Sequence, residues 1–350
     1  MPRIADQWPA LWPALAFLLA GVPLASLLDR VGFFTAAASL MIGRGNHERS
    51  VLGIWILAAL TTAVLNLDTT VVLLTPLCLR LARHCGVDPV PLAAIPLLLA
   101  SFASSVLPIS NLTTLIAAQR FHLTAFDVLS HLALPSLAAT VVGWLVYRRR
   151  YPTTLHAEVT ESVDRRSLAI GGAVVIGLLV GFVVGPSFGV DAWVVAVIAD
   201  LVMMLLVRWV PWRDVPVSTA LMVAGIAAAV ALAVPADALR GPLENTHPAA
   251  VGLLAVAAGA LANVVNNLPA LLMASGAIPQ MNEGMWGWLL GVNVAAVLLP
   301  IGALANLLWL RIMRAEGVRV GVRGYLAITV PIALPAAAAA FAVLVAEQVT

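Results

Sequence analysis

The sequence has no lysine at all. Its nineteen basic residues are arginines, and together with seventeen acidic ones they make only 10% of the chain charged, against about a quarter in soluble domains. A net charge of +2 is uninformative here, since the distribution of charge across loops matters more than the sum, and no nucleic-acid partner is expected. The absence of lysine, beside abundant Ala, Val, Leu and Gly, reads as codon bias. Cysteine is nearly absent too. Cys78 and Cys85, seven residues apart, make neither a disulfide scaffold nor a thiolate metal site and read as small hydrophobes. There is no phosphate loop, dinucleotide fingerprint or metal-ligand cluster. No soluble domain that could report a signal is visible either. A water-soluble enzyme and a sensor are both excluded, no cofactor is expected, and any work must run on ion gradients or on an ATPase borrowed from another chain.

What is present is apolar sequence, 62% of 350 residues. Runs of about twenty apolar residues, each long enough to cross a hydrocarbon core of roughly 30 Å, recur along the chain. This is a polytopic, all-α membrane protein. Its first run, from Trp8 to Leu28, has no convincing cleavage site and reads as a span, not a removable signal. Full spans, about eight in number, are expected at 8–28, 92–118, 128–147, 168–186, 190–210, 217–236, 284–313 and 326–346. The stretch 33–43 reads as a short interfacial helix.

Two other apolar regions, 50–82 and 248–280, are interrupted near their centres by NLDTT at 66–70 and NVVNNLP at 263–269. Arms of about fifteen residues reach only about 22 Å, so each region is expected to be a re-entrant hairpin with a polar tip. Charge segregation supports this. With both hairpins re-entrant, the segments 29–49, 80–91, 148–167, 208–216 and 311–325 share one face and carry every arginine except Arg3, Arg120 and Arg240. The positive-inside rule makes that face cytoplasmic and puts both termini outside. The hairpins then enter from opposite sides, and each precedes a span broken at a proline: LPISNLTT at 107–114 and LPIGALAN at 299–306. The chain is thus an inverted repeat, with residues 1–147 as the first half, 148–167 as a cytoplasmic linker and 168–350 as the second half. Broken helices in inverted repeats point to a secondary transporter with its site at mid-membrane.

Non-helical backbone at membrane depth must be buried in protein or line a cavity. The two tips and two breaks therefore supply the candidate site: Asn66, Asp68, Thr69, Thr70, Ser110, Asn111, Thr113, Thr114, Asn263, Asn266, Asn267, Gly302 and Asn306. The prolines free backbone carbonyls for an ion or polar solute. Asp68 is the first candidate for a proton carrier or coupling-ion ligand, because a mid-membrane aspartate costs about 2.5–3.5 kcal/mol; it could equally cap the second arm. The hydroxyls at 110–114 could bond back to a kinked helix. Asp200, inside a span, is a second candidate relay or a structural contact between helices. His131 reads as an interfacial histidine.

These four stretches, NLDTTVVLLTP, LPISNLTTLIA, NVVNNLPAL and LPIGALANLLWL, resemble the arsenite efflux permeases and, more distantly, the divalent-anion/sodium symporters and Na+/H+ antiporters of the ion transporter superfamily. The resemblance implies a mobile transport domain working against a scaffold by elevator-type alternating access, often as a homodimer, in the inner membrane. It implies a proton or Na+ as coupling ion, with a cytoplasmic ATPase as a conceivable partner. Leu67 separates Asn66 from Asp68, where arsenite permeases have the pair adjacent. The first half also has two fewer leading spans than the second, so a compact variant or a late start is expected. The leading expectation is proton-coupled efflux of arsenite or antimonite. Uptake or exchange of an inorganic or carboxylate anion is the alternative, Na+/H+ exchange a third, and an intramembrane aspartyl protease using Asp68 and Asp200 a remote one. With no arginine in any break, a neutral solute or dipole-bound anion is favoured over a clamped dicarboxylate.

Overall fold

A computed structural model describes residues 2–42, 47–151, 164–233, 235 and 237–349. Arg44 and most of the expected linker, 152–163, lie outside the described residues, as does the Arg49 side chain. Sixteen α-helices and no strands are found among the described residues, as expected where each apolar segment must satisfy its backbone within itself.

In the first half, α1 (Pro2–Arg30) is followed by α2 (Phe33–Ile42), which packs on α3 (His47–Val64). Next come α4 (Leu67–Cys85), α5 (Pro89–Phe102), a 3-10 turn at Pro108–Ser110, α6 (Leu112–Phe121) and α7 (Ala125–Arg150). The second half has α8 (Arg165–Val184), α9 (Ala192–Val207), α10 (Val217–Ala233) and the short α11 (Arg240–Glu244). Then follow α12 (Pro248–Val265), α13 (Asn267–Ser275), α14 (Glu283–Val294) with a 3-10 turn over Ala295–Leu298, α15 (Leu304–Ala315) and α16 (Val322–Glu347). The halves correspond element by element from the hairpins onward, and their last helices, α7 and α16, pack along each other.

Five helices are long and apolar enough to cross a membrane: α1 from Leu11, α7, α8, α12 and α16. Four of the eight expected spans are among them. α9 and α10, with 16 and 17 residues, are shorter than the expected segments: α9 ends at its cap Arg208, in the left-handed region, and α10 at Ala233. The two remaining spans are the broken helices, each in two short pieces. The hairpin arms differ from equal fifteens. α3 and α4 have 18 and 19 residues, whereas α12 and α13 have 18 and 9, since the tip falls at Asn266 and α13 stops at Gly276.

The centre of the molecule is formed by the two pre-break helices. Every residue of α5 from Pro91 to Phe102, and of α14 from Gly284 to Val294, is buried. α14 gets close to α12 through small residues: a Cβ added at Gly291 would lie 2.1 Å from the Ala255 carbonyl oxygen. Such stripes let helix backbones approach without a hydrophobic driving force in lipid. Around this centre, α8, α9 and α10 turn Ile176, Val180, Leu205 and Leu221 outward, the surface a lipid-facing helix presents.

Contacts tie several arginine-bearing loops to one another. The Arg30 guanidinium lies 4.5 Å over the Trp209 ring, Ser167 Oγ lies 2.6 Å from the Val31 carbonyl oxygen, and Arg83 pairs with Glu316 at 3.0 Å. α2 is a helix as expected but packs inward, burying Phe34 and Ala37 against α3 and α8. His131 stacks on Trp286 at 4.4 Å, a contact between α7 and α14.

Candidate functional site

The first tip is a reversal of the chain at Asn66. Thr62 Oγ1 donates to Thr70 Oγ1 at 2.9 Å, although eight residues of straight helix would span about 12 Å. Asn66 caps α4, its Oδ1 accepting from the Thr69 amide at 2.7 Å, while Thr70 Oγ1 donates to the Asn66 carbonyl. α1 leans on this tip at Gly21, where a Cβ would sit 3.4 Å from Asn66 Nδ2. Asp68 stands in the first turn of α4, partly exposed. Asn66, not Asp68, is the side chain that caps the arm. Among the described residues no donor bonds the Asp68 carboxylate, and the neighbouring Thr69 Oγ1 is buried without a partner.

The first break is tied to this tip. Ser110 Oγ donates to the Ala63 carbonyl at 2.6 Å and accepts from the Leu107 amide. Asn111 caps α6 through the Thr113 amide. Asn111 Nδ2 also donates to Ser104 Oγ at 3.2 Å, and Asn111, Thr113 and Thr114 all bond Asn293 of α14, a residue the sequence analysis did not single out. Asn293 Oδ1 accepts from Asn111 Nδ2 at 3.1 Å and from Thr113 Oγ1; Asn293 Nδ2 donates to Ser105 Oγ at 3.0 Å and Thr114 Oγ1 at 2.9 Å. All five side chains are buried. The Thr113 and Thr114 hydroxyls bond across to the other half at Asn293, and the Ser110 hydroxyl bonds across to α3 at Ala63. The signal for Asn293 was a lone amide in the apolar run GVNVAAV, which only a partner or a cavity makes tolerable.

The second tip is closed on the second break by backbone and amide groups. Asn266 caps α13 through the Leu268 amide at φ +82° and ψ 152°, a backbone conformation that residues other than glycine rarely adopt. Its Nδ2 donates to the Ile301 carbonyl at 2.9 Å, and the Asn267 amide donates to the Gly302 carbonyl at 2.8 Å. Gly302 lies at a backbone crossing: a Cβ there would be 2.1 Å from the Ala296 oxygen and 2.7 Å from Asn263 Oδ1.

The carbonyls freed at this break are largely occupied. Asn263 bonds Ala295 O and accepts from the Leu299 amide, Asn306 bonds Ala296 O and Leu299 O, Tyr325 bonds Val297 O and Thr329 bonds Leu298 O. The sequence expectation left these oxygens to an ion; the structure gives them to α12, α15 and α16, because an unpaired carbonyl at this depth is costly. In the first break, by contrast, the backbone carbonyls of Ser104 to Val106 accept from no side chain among the described residues; the side-chain donors there go to the Ser104 and Ser105 hydroxyls. A cavity of about 160 Å³ lies against that break, lined by Pro108, Gln119, His122 and Asp191 among others.

Thirteen sequence-predicted residues thus fall at two tips and two breaks, joined tip 1 to break 1, tip 2 to break 2, and break 1 to the second half through Asn293. Asp68 is the one ionisable side chain among them. Asp200 is placed elsewhere, at the middle of α9 and facing α1.

The chain is similar to known proteins over most of its length. An arsenical pump membrane protein of Yersinia enterocolitica is 28% identical over 357 residues, covering 89% of this chain and 81% of that protein. One from Escherichia coli K12 is 26% identical over 350 residues with the same coverage. An uncharacterized transporter of Mycobacterium tuberculosis is 23% identical over 341 residues, covering 87% and 79%. The crystal structure of the Alcanivorax borkumensis YdaH transporter shares the fold, with a TM-score of 0.60 at 15% identity over 99% of this chain and 87% of that one. The citrate transporter (CitMHS) family model matches residues 7–302, from the first helix through the second break, and the chain belongs to that family of membrane transporters.

Proposed function

We propose that the protein is a proton-coupled secondary transporter that exports arsenite or antimonite as the neutral trihydroxide, with Asp68 as the proton carrier. One observation carries this reading. Among all the polar groups at the tips and breaks, Asp68 alone is ionisable, and its carboxylate is left without a protein donor beside the unpartnered Thr69 hydroxyl. The other groups there are amides and hydroxyls. They suit a small uncharged solute that both donates and accepts hydrogen bonds, and no guanidinium is at hand to clamp a dicarboxylate. The names of the Yersinia and Escherichia relatives agree with this substrate class.

On this reading the paired tip-and-break units move as one body in an elevator-type cycle. The arginine-bearing loops face the cytoplasm of an inner membrane and both termini face outside, as charge segregation favours. The working unit is a homodimer, needs no cofactor beyond its coupling ion, performs no catalysis, and accepts a cytoplasmic ATPase only as an optional partner.

A carboxylate or inorganic anion is the second reading. It is favoured by the family description and by α15, whose N-terminus at the second break has no side-chain cap, leaving donors of the kind that anions seek. Expression in cells lacking their own efflux system separates the two. Arsenite resistance that Asp68→Asn abolishes at equal membrane abundance is expected. Unchanged sensitivity, together with citrate-driven currents or uptake in proteoliposomes, would transfer the assignment to the anion.

A further inference from the structure

Asp200 has no place in the transport site, yet it is set in a site of its own. It occupies the middle of α9, roughly 10–12 Å from either end of that helix. Only 6% of the residue is exposed, and its Oδ1 is fully buried with no hydrogen-bond partner among the described residues. The carboxyl lines a cavity of about 480 Å³ between α1, α9 and the segment after it, a volume within the ~300–1,000 Å³ range of small-molecule sites. The walls are apolar, with Leu19 and Pro23 from α1 and Val197 and Met204 from α9; Trp193 and Trp212 also line it. No other lining residue is charged. Arg30, at the end of α1, is engaged with Trp209.

We infer that this cavity binds a hydrophobic ammonium ion: an amine whose charged nitrogen meets the Asp200 carboxylate while its apolar body fills the groove between α1 and α9. An acidic group buried without a donor calls for one, and the apolar walls exclude a hydrated metal ion, which would need several oxygen ligands. Tryptophan faces favour a cation further. The depth selects the source. A phospholipid amine carries a phosphate that cannot follow it to mid-membrane, whereas a membrane-dissolved amine with a plain alkyl or aromatic body can. The inference is independent of the transport assignment, because it uses none of the tip or break residues.

The test is equilibrium binding of tritiated octylamine to the full-length protein in lipid nanodiscs, with empty nanodiscs subtracted. Saturable binding near one per chain is expected, displaced by unlabelled octylamine but not by equal concentrations of octanol. Losing a charge-assisted hydrogen bond of about 1.5–3 kcal/mol, Asp200→Asn should weaken binding by at least about tenfold. Asp200→Glu, which restores the charge, should bind within a few-fold of the parent, and Asp68→Asn should bind as the parent does. No saturable binding by the folded parent, equal competition by octanol, or full binding by a monodisperse Asp200→Asn protein would each overturn the inference.

Discussion

Replacing Asn293 by leucine is the sharpest perturbation this structure offers. The substitution keeps the side chain's approximate volume but removes four hydrogen bonds, to Asn111, Thr113, Ser105 and Thr114, all between buried groups. At a net value of about 1 kcal/mol per bond the loss would be ~4 kcal/mol; with the ~0.6 kcal/mol average found between membrane helices it would be ~2.4. Two of the abandoned hydroxyls, Thr113 and Thr114, sit in the first turn of α6 and can turn toward carbonyls of the preceding break. Asn111 Nδ2 keeps Ser104 Oγ, at 3.2 Å. The expected cost is therefore about 2–4 kcal/mol. Equilibrium unfolding in mixed detergent micelles, followed by circular dichroism, measures it. A double-mutant cycle with Thr113→Val isolates one bond and should return a coupling above ~0.5 kcal/mol, since the pair is in direct contact. A loss below ~0.5 kcal/mol for Asn293→Leu, or strict additivity with Thr113→Val, would refute the claim that this knot joins the halves.

Three further outcomes follow from other parts of the fold. Gly291→Ala places a methyl 2.1 Å from the Ala255 oxygen and should destabilise by about 1–3 kcal/mol as α12 and α14 separate; Gly225→Ala on α10, with nothing within 4 Å of its Cβ, should be neutral or slightly stabilising by thermal unfolding. Asp164 caps α8, and its bonds from Ser167 hold its carboxyl below the usual carboxylate range. A depressed folded-state pKa gives stability that is present at neutral pH and lost as pH falls through that lowered value. The stability gap between the parent and Asp164→Ala should therefore be full at pH 7 and shrink below pH ~4; a gap independent of pH would count against the cap. Asp68→Asn should abolish coupled arsenite transport while leaving the unfolding midpoint nearly unchanged, because no protein donor is lost with the charge.

Much of the site could be read along the chain. The polar interruptions at Asn66 and Asn266 became helix N-caps at chain reversals, and the prolines at 108 and 300 mark the two breaks. These features are local: an amide or a proline within an apolar run changes the backbone where it stands. What the sequence could not reveal is which freed groups meet. Tyr325 falls at the end of the segment read as a loop and Thr329 in the span expected at 326–346, and only the packing of α16 against the second break makes them carbonyl caps. Arm length was equally hidden, because α13 ends at Gly276, well before its apolar run does.

The sequence by itself determined a helical membrane protein, its duplicated tip-and-break plan and the isolation of Asp68, since length, hydropathy and the energetic cost of polar groups in hydrocarbon act on each segment separately. Tertiary structure alone decided that the second break is saturated by its neighbours, that the first is tied across the repeat by Asn293, and that Asp200 looks into a cavity of its own. Hydrogen bonds between residues 179 to 188 positions apart leave no trace in local pattern, because what selects them is the geometry of two packed halves.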